Sequence, residues 1–159
     1  MAKKQTTKPF EYKLRSIVVN NFIYKVPKKP YTQMPAGNSN FNVDPKIRFS
    51  IDQNELALIM NVIGTIKETG EEFVNASALF IYHINNLNDF VNDEGGKTGV
   101  IFKDKKLEEH FIPTIIGICY STMRGILIGK AADTILQTET LPVVNPRIFF
   151  KRIEPKEKK

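Results

Sequence analysis

The chain has 159 residues, is 42% hydrophobic and 25% charged, and carries a net charge of +6. Those proportions are those of one globular domain with an ordinary core. The single cysteine, Cys119, excludes an intramolecular disulfide framework and suits a reducing, cytoplasmic compartment.

The charge sits at the two ends. Residues 1–30 hold eight Lys/Arg against Glu11, and residues 147–159 hold six against Glu154 and Glu157, while the rest is net −5. Residues 1–9 and 151–159 therefore read as basic, solvated tails around one domain spanning 10–150. The opening MAKKQTTKPF has no apolar run behind its lysines and is not a signal peptide.

In chain order, residues 10–26 alternate as a strand. Phe10, Tyr12 and Leu14 share one phase, Ile17 and Val19 take the other, and Phe22, Tyr24 and Val26 return to the first. Each change of phase predicts a bulge or bend, near Ser16 and near Asn20–Asn21. Residues 27–40, with three prolines, form a long loop carrying Tyr31 and Met34. A second strand over 40–51 is interrupted by Asp44–Pro45, which suits a sheet edge. Leu56, Leu58, Met60, Val62 and Ile66 mark a third strand, and residues 71–85 a fourth. In the fourth, Phe73, Asn75 and Ser77 are read on one face and Val74 through Ile84 at even positions on the other.

A short helix is expected around Leu87–Asn92, another over Lys103–Phe111, and a main helix from Pro113 to about Asp133, with an extended Leu141–Ile153 at the end. The main helix places Ile115, Ile118, Cys119, Thr122, Met123, Ile126 and Leu127 on one stripe. Beside it run Gly117, Ser121, Gly125 and Gly129, four residues apart. A glycine weakens a helix by roughly 1 kcal/mol, so this row predicts a second backbone packed closely against it. Its uncharged part is about 13 residues, short of the ~20 of a membrane span, and Arg124 follows. Four strands and then helices predict an α+β fold: a four-stranded antiparallel sheet, read as a meander, with helices packed on one face.

Catalytic signatures are lacking. GGKTG at 95–99 has the wrong spacing for a phosphate loop, since the position five before Gly96 is Val91. His83 and His110 have no metal-ligand spacing, and no nucleophile pattern accompanies Cys119. Neither an enzyme nor a cofactor is expected. What the chain offers is apolar display: Tyr31, Met34, Phe41, Val43, Phe80, Tyr82 and Phe102 read as a groove for extended apolar peptide. The alternative is a nucleic-acid-binding protein using the basic ends with Phe10, Tyr12 and Phe149–Phe150.

This order of features resembles the SecB-type protein-export chaperones over about residues 10–150. The resemblance is carried by FEYKLRSIVVNNFIYKVP with its Pro-containing crossover loop, by EEFVNASALFIYHINNL, and above all by IPTIIGICYSTMRGILIGKAADTILQTETLPVVNP. It implies an ATP-independent holdase for unfolded preproteins or other nascent polypeptides. It also implies a tetramer, a dimer of dimers, in which Gly117, Ser121, Gly125 and Gly129, with Ile17 and Val19 on the first strand, meet other subunits. Well-known members dock the export ATPase SecA through acidic groups on the sheet. Here Phe73–Val74–Asn75–Ala76–Ser77 and Asn20–Asn21 carry no carboxylate at the matching places, which speaks against SecA binding. A client-dedicated chaperone, such as one serving the antitoxin of a toxin–antitoxin pair, stands beside export as a reading.

Overall fold

The computed structural model describes residues 9–28, 37–93, 100–130, 134–137 and 139–153. Tyr31 and Met34 lie outside them. Four long strands, β1 (Tyr12–Tyr24), β2 (Ser39–Ser50), β3 (Glu55–Ile66) and β4 (Glu72–Ile84), form one antiparallel sheet in the order β1-β4-β3-β2. β2, β3 and β4 are the expected meander. β1 departs from it: it pairs with β4 at the far side rather than with its sequence neighbour. The connection between β1 and β2 has to cross from one edge of the sheet to the other, and this is why it is long.

The alternation of apolar residues decides which face is covered. In β3, Leu56, Leu58, Met60 and Val62 are all fully buried, and in β4 Ala76, Ala78, Phe80, Tyr82 and Ile84 are buried opposite them. β1 shifts register between Leu14 and Ser16 and again between Val19 and Asn21. These two bulges keep Leu14, Ile17, Val19 and Phe22 on the same covered face despite their change of phase. A third irregularity, at Gly64/Thr65, turns Phe73 inward. Phe73 is fully buried with its ring 5.7 Å from Phe41, and so does not share a face with Asn75 and Ser77. Pro45 pairs with Met60 on β2, an edge strand, where a missing N–H is tolerated.

After the sheet come α1 (Leu87–Phe90), a two-residue ladder of β5 (Val91–Asn92) with β6 (Ile101–Phe102), and the long helix α2 (Lys105–Lys130). Asn54, at φ 54 in the β2–β3 turn, accepts a hydrogen bond from Leu87 N–H at 3.0 Å and so fixes α1 to the sheet end. Asp104 Oδ1 accepts the Lys106 N–H at 2.9 Å and starts α2. α2 joins the two helices expected on either side of Pro113 into one. Pro113 lies inside it on the buried face, where the carbonyl a turn earlier loses its backbone donor. A 3₁₀ turn (Ile135–Gln137) follows, and then α3 (Arg147–Ile153) where an extended end was expected. Asn145 Oδ1 accepts the Arg147 N–H at 3.0 Å and Pro146 occupies the entry, a helix start rather than a helix stop.

α2 lies on the even-numbered face of β3 and β4. Phe111, Ile112, Ile115, Ile116, Cys119, Met123 and Leu127 bury its inner side. By length and composition α2 could cross a membrane, but half of its most apolar stretch is buried inside the fold. The result is the expected α+β architecture, with helices on one face of an antiparallel sheet.

Candidate functional site

Among the described residues, apolar surface outside the core lies on the outward side of α2 and on the sheet face that α2 does not cover. On α2, a groove of about 500 Å³ runs between the helix and segment 142–146, lined by Gly117, Ile118, Ser121, Arg124, Val143 and Val144 among others. The Tyr120 hydroxyl donates to Pro142 C=O at 2.6 Å and holds the segment in place. Burial pushes the Tyr120 phenol up, with Arg124 acting against it. Val143 is 86% exposed and Ile118 is 41% exposed, so both walls of this groove present aliphatic surface to solvent.

The small-residue row divides. A Cβ on Gly117 would stand 2.9 Å from Pro146 Cγ, so the neighbour that needs this glycine is a side chain of the same chain rather than a second backbone. Among the described residues nothing lies within 4 Å of a Cβ on Gly125 or Gly129, and Ser121 is exposed. Ile128 beside them is 42% exposed. The intrachain reason for Gly117 does not extend to these later positions, which leave a bare strip along the C-terminal half of α2. Ile17 and Val19 lie on the helix-facing side of the edge strand β1, with Ile17 40% exposed.

The residues read as a peptide groove are dispersed. Val43, Phe80, Tyr82 and Phe102 are buried members of the core, and Phe41 is half-buried against Phe73 at the opposite end of the sheet from Tyr82. Tyr82 and Phe102 belong to an aromatic cluster centred on Phe111. Phe10 lies 4.8 Å from both Phe90 and Phe111, Tyr12 5.0 Å from Phe111, and Phe102 5.6 Å from Phe49. Tyr12 is its exposed member, and Phe10, Phe49 and Phe90 are half-buried at its edge. The shared phase of Phe10 and Tyr12 at the start of β1 was the sequence signal for them, and Phe90 and Phe111 had none.

Cys119 is an inert core thiol. Its Sγ lies 3.5 Å from the Tyr82 hydroxyl, and burial pushes the thiol up to about 11, against a smaller lowering by that contact. Burial likewise raises the Tyr82 phenol, reinforced by the Cys119 contact. His110 Nδ1 contacts the Lys106 carbonyl at 2.7 Å on the exposed side of α2. Among the described residues no group of three His, Cys, Asp or Glu side chains could hold a metal.

No protein-family model and no curated protein matches this sequence. Among solved structures, the chain is similar to the SecB-like chaperone Rv1957 of Mycobacterium tuberculosis, solved in complex with a ChAD peptide from the antitoxin HigA1 (Rv1956). The TM-score is 0.58 at 10% identity, covering 84% of this chain and 90% of that one. A protein of unknown function from Streptococcus agalactiae aligns with a TM-score of 0.36 at 13% identity, over 86% of this chain and 99% of that one. The fold is thus a SecB-like arrangement, reached by a sequence that shares few residues with its neighbour.

Proposed function

We propose that this protein is a holdase: an ATP-independent, cytoplasmic chaperone that binds extended apolar stretches of unfolded polypeptide as a homo-oligomer. The observation that carries this reading is the SecB-like fold itself, present in a chaperone solved with an antitoxin peptide. The exposed aliphatic walls of the α2 groove and the exposed Tyr12 beside half-buried Phe10 and Phe90 support it, since a holdase needs apolar surface that its own core does not consume.

The binding free energy would come from apolar burial at ~25 cal/mol per Å², offset by ordering the client. Such recognition is broad in sequence, because it reads apolarity rather than hydrogen-bond patterns. The bare strip of Ser121, Gly125, Ile128 and Gly129 supports packing of α2 against α2 of another subunit, within a tetramer built as a dimer of dimers. Asn21, Asn75 and Ser77 occupy the open sheet face without a carboxylate among them, and Asn21 Nδ2 donates to Asn75 Oδ1 at 3.3 Å. That favours a dedicated client, such as an antitoxin, over hand-over to SecA.

Fluorescence titration of a labelled unfolded apolar peptide and of single-stranded RNA, each at low and high salt, tests the reading. Peptide binding that persists at high salt, without RNA binding, is the expected result. RNA binding that falls steeply with salt, without peptide binding, would replace the holdase with the nucleic-acid reading.

A further inference from the structure

An antiparallel sheet covered on one face ordinarily turns polar residues to water on the other. Here the open face follows that rule at its ends, where Asn21, Ser77 and Asn61 share one row, but not at its centre. The register aligns Val18, Leu79, Ile59 and Lys46 in one row across the four strands, and Ser16, Ile81, Ala57 and Arg48 in the adjacent row. Val18 is 46% exposed, and Leu79, Ile59, Ile81 and Ala57 are all partly exposed. Five aliphatic side chains therefore form one contiguous patch at the centre of the sheet.

The border of that patch is net positive, with Lys13, Arg15, Lys46 and Arg48 against Glu55 and Asp44, the last in the row of Asn21, Ser77 and Asn61. Lys46 and Arg48 close it along β2, and Lys13, in the row of His83 and Glu55, closes it at one strand end together with Arg15. Arg15 is ion-paired to Glu55 across β4, and Lys46 lies 3.6 Å from Asp44. Lys13 and Arg48 have no carboxylate partner among the described residues. Glu11, one step beyond Lys13, is engaged with Asn85 at 2.9 Å.

We infer that this face docks a partner protein through an amphipathic segment with an aliphatic stripe flanked by carboxylates. Charge selects that occupant. A second copy would bring the same net positive border against this one, and both chain ends are themselves net positive. Nucleic acid is disfavoured because the patch holds no aromatic ring on which a base could stack. The site is distinct from the α2 groove and lies on the opposite side of the sheet, so it stands whether or not that groove holds clients.

The test titrates the full-length protein with two helical amphipathic peptides of equal length, one built from Leu and Glu and one from Leu and Lys. Binding is followed by the methyl resonances of Leu79 and Ile59, with Ile115 and Met123 on the covered side as controls. The Leu–Glu peptide is expected to bind and to shift the Leu79 and Ile59 methyls alone. Lys46→Glu with Arg48→Glu is expected to weaken it by about tenfold, with native mass and suppression of client aggregation unchanged. Ile59→Thr, which suits a strand, is expected to weaken it without altering charge. Equal binding of both peptides, shifts on the α2 side only, RNA binding abolished by the same double variant, or a fall in that variant's native mass would each overturn the assignment.

Discussion

Pro146 fills the space that a side chain at Gly117 would need, its Cγ 2.9 Å from where a Cβ would stand. The close approach that the small-residue row called for is thus met, at its first position, by the chain's own return over α2. The later positions are different, since a Cβ on Gly125 meets nothing within 4 Å among the described residues. Gly117→Leu is expected to displace segment 142–146 and to lower stability by about 1–3 kcal/mol. Gly125→Ala is expected to gain up to about 1 kcal/mol from helix propensity alone. Urea unfolding of both variants beside the parent checks the contrast, and equal effects of the two would remove the distinction.

Gly125→Leu addresses assembly rather than folding. The side chain has room within one chain, so far-UV circular dichroism should match the parent. It should also block close packing of a second helix on the bare strip, so native mass by light scattering is expected to fall. An unchanged mass would mean that the strip is not an interface.

Gly64 is the tightest glycine in the sheet. A Cβ there would lie 2.6 Å from Val74 Cγ1, 2.8 Å from Phe73 Cζ and 3.0 Å from Phe41 Cε1. It stands at the register shift that turns Phe73 into the core. Gly64→Ala is expected to cost about 1–3 kcal/mol, because the surrounding side chains are packed and must move. A thermal midpoint equal to the parent's would show that the bulge can absorb the methyl group.

These three glycines also show where the sequence was readable. The phase changes in residues 10–26 located both β1 bulges, because period-2 alternation records which face a residue serves. The same alternation carries no information on which strand lies alongside, so the pairing of β1 with β4 was not legible. Phe73 was assigned to the wrong face because a bulge one residue away resets the count. Pro113 was read as the start of the main helix, and Pro146 as part of an extended end. The first lies inside α2 on its buried side, and the second opens α3 with Asn145. Phe80 and Tyr82 were read as apolar display but are buried in the core, because a strand pattern does not say whether its apolar face meets a helix of the same chain or something else. The open-face patch was missed because Val18, Ile59, Leu79 and Ile81 come together only through the register.

The Cys119–Tyr82 contact makes a pH prediction. The Cys119 thiol is raised from 9.0 to about 11 in the folded protein, chiefly by burial. Between those values the unfolded chain releases its thiol proton while the native state keeps it. The unfolded state then binds fewer protons, so stability is undiminished below pH 9 and falls as pH rises toward 11. The raised Tyr82 phenol acts in the same direction. Urea midpoints measured from about pH 8 to about pH 10.5 should decline, and native Cys119 should react with a thiol reagent only after unfolding. Rapid labelling of the folded protein at neutral pH would contradict the buried, protonated thiol.

On the reading proposed above, apolar surface left exposed on this SecB-like fold holds unfolded polypeptide. The most direct test dilutes a denatured apolar client from urea into buffer and follows its light scattering, with and without this protein and with no nucleotide present. Stoichiometric amounts are expected to suppress aggregation, with the client recovered in a soluble complex. Scattering that rises equally in the presence and absence of the protein would contradict it.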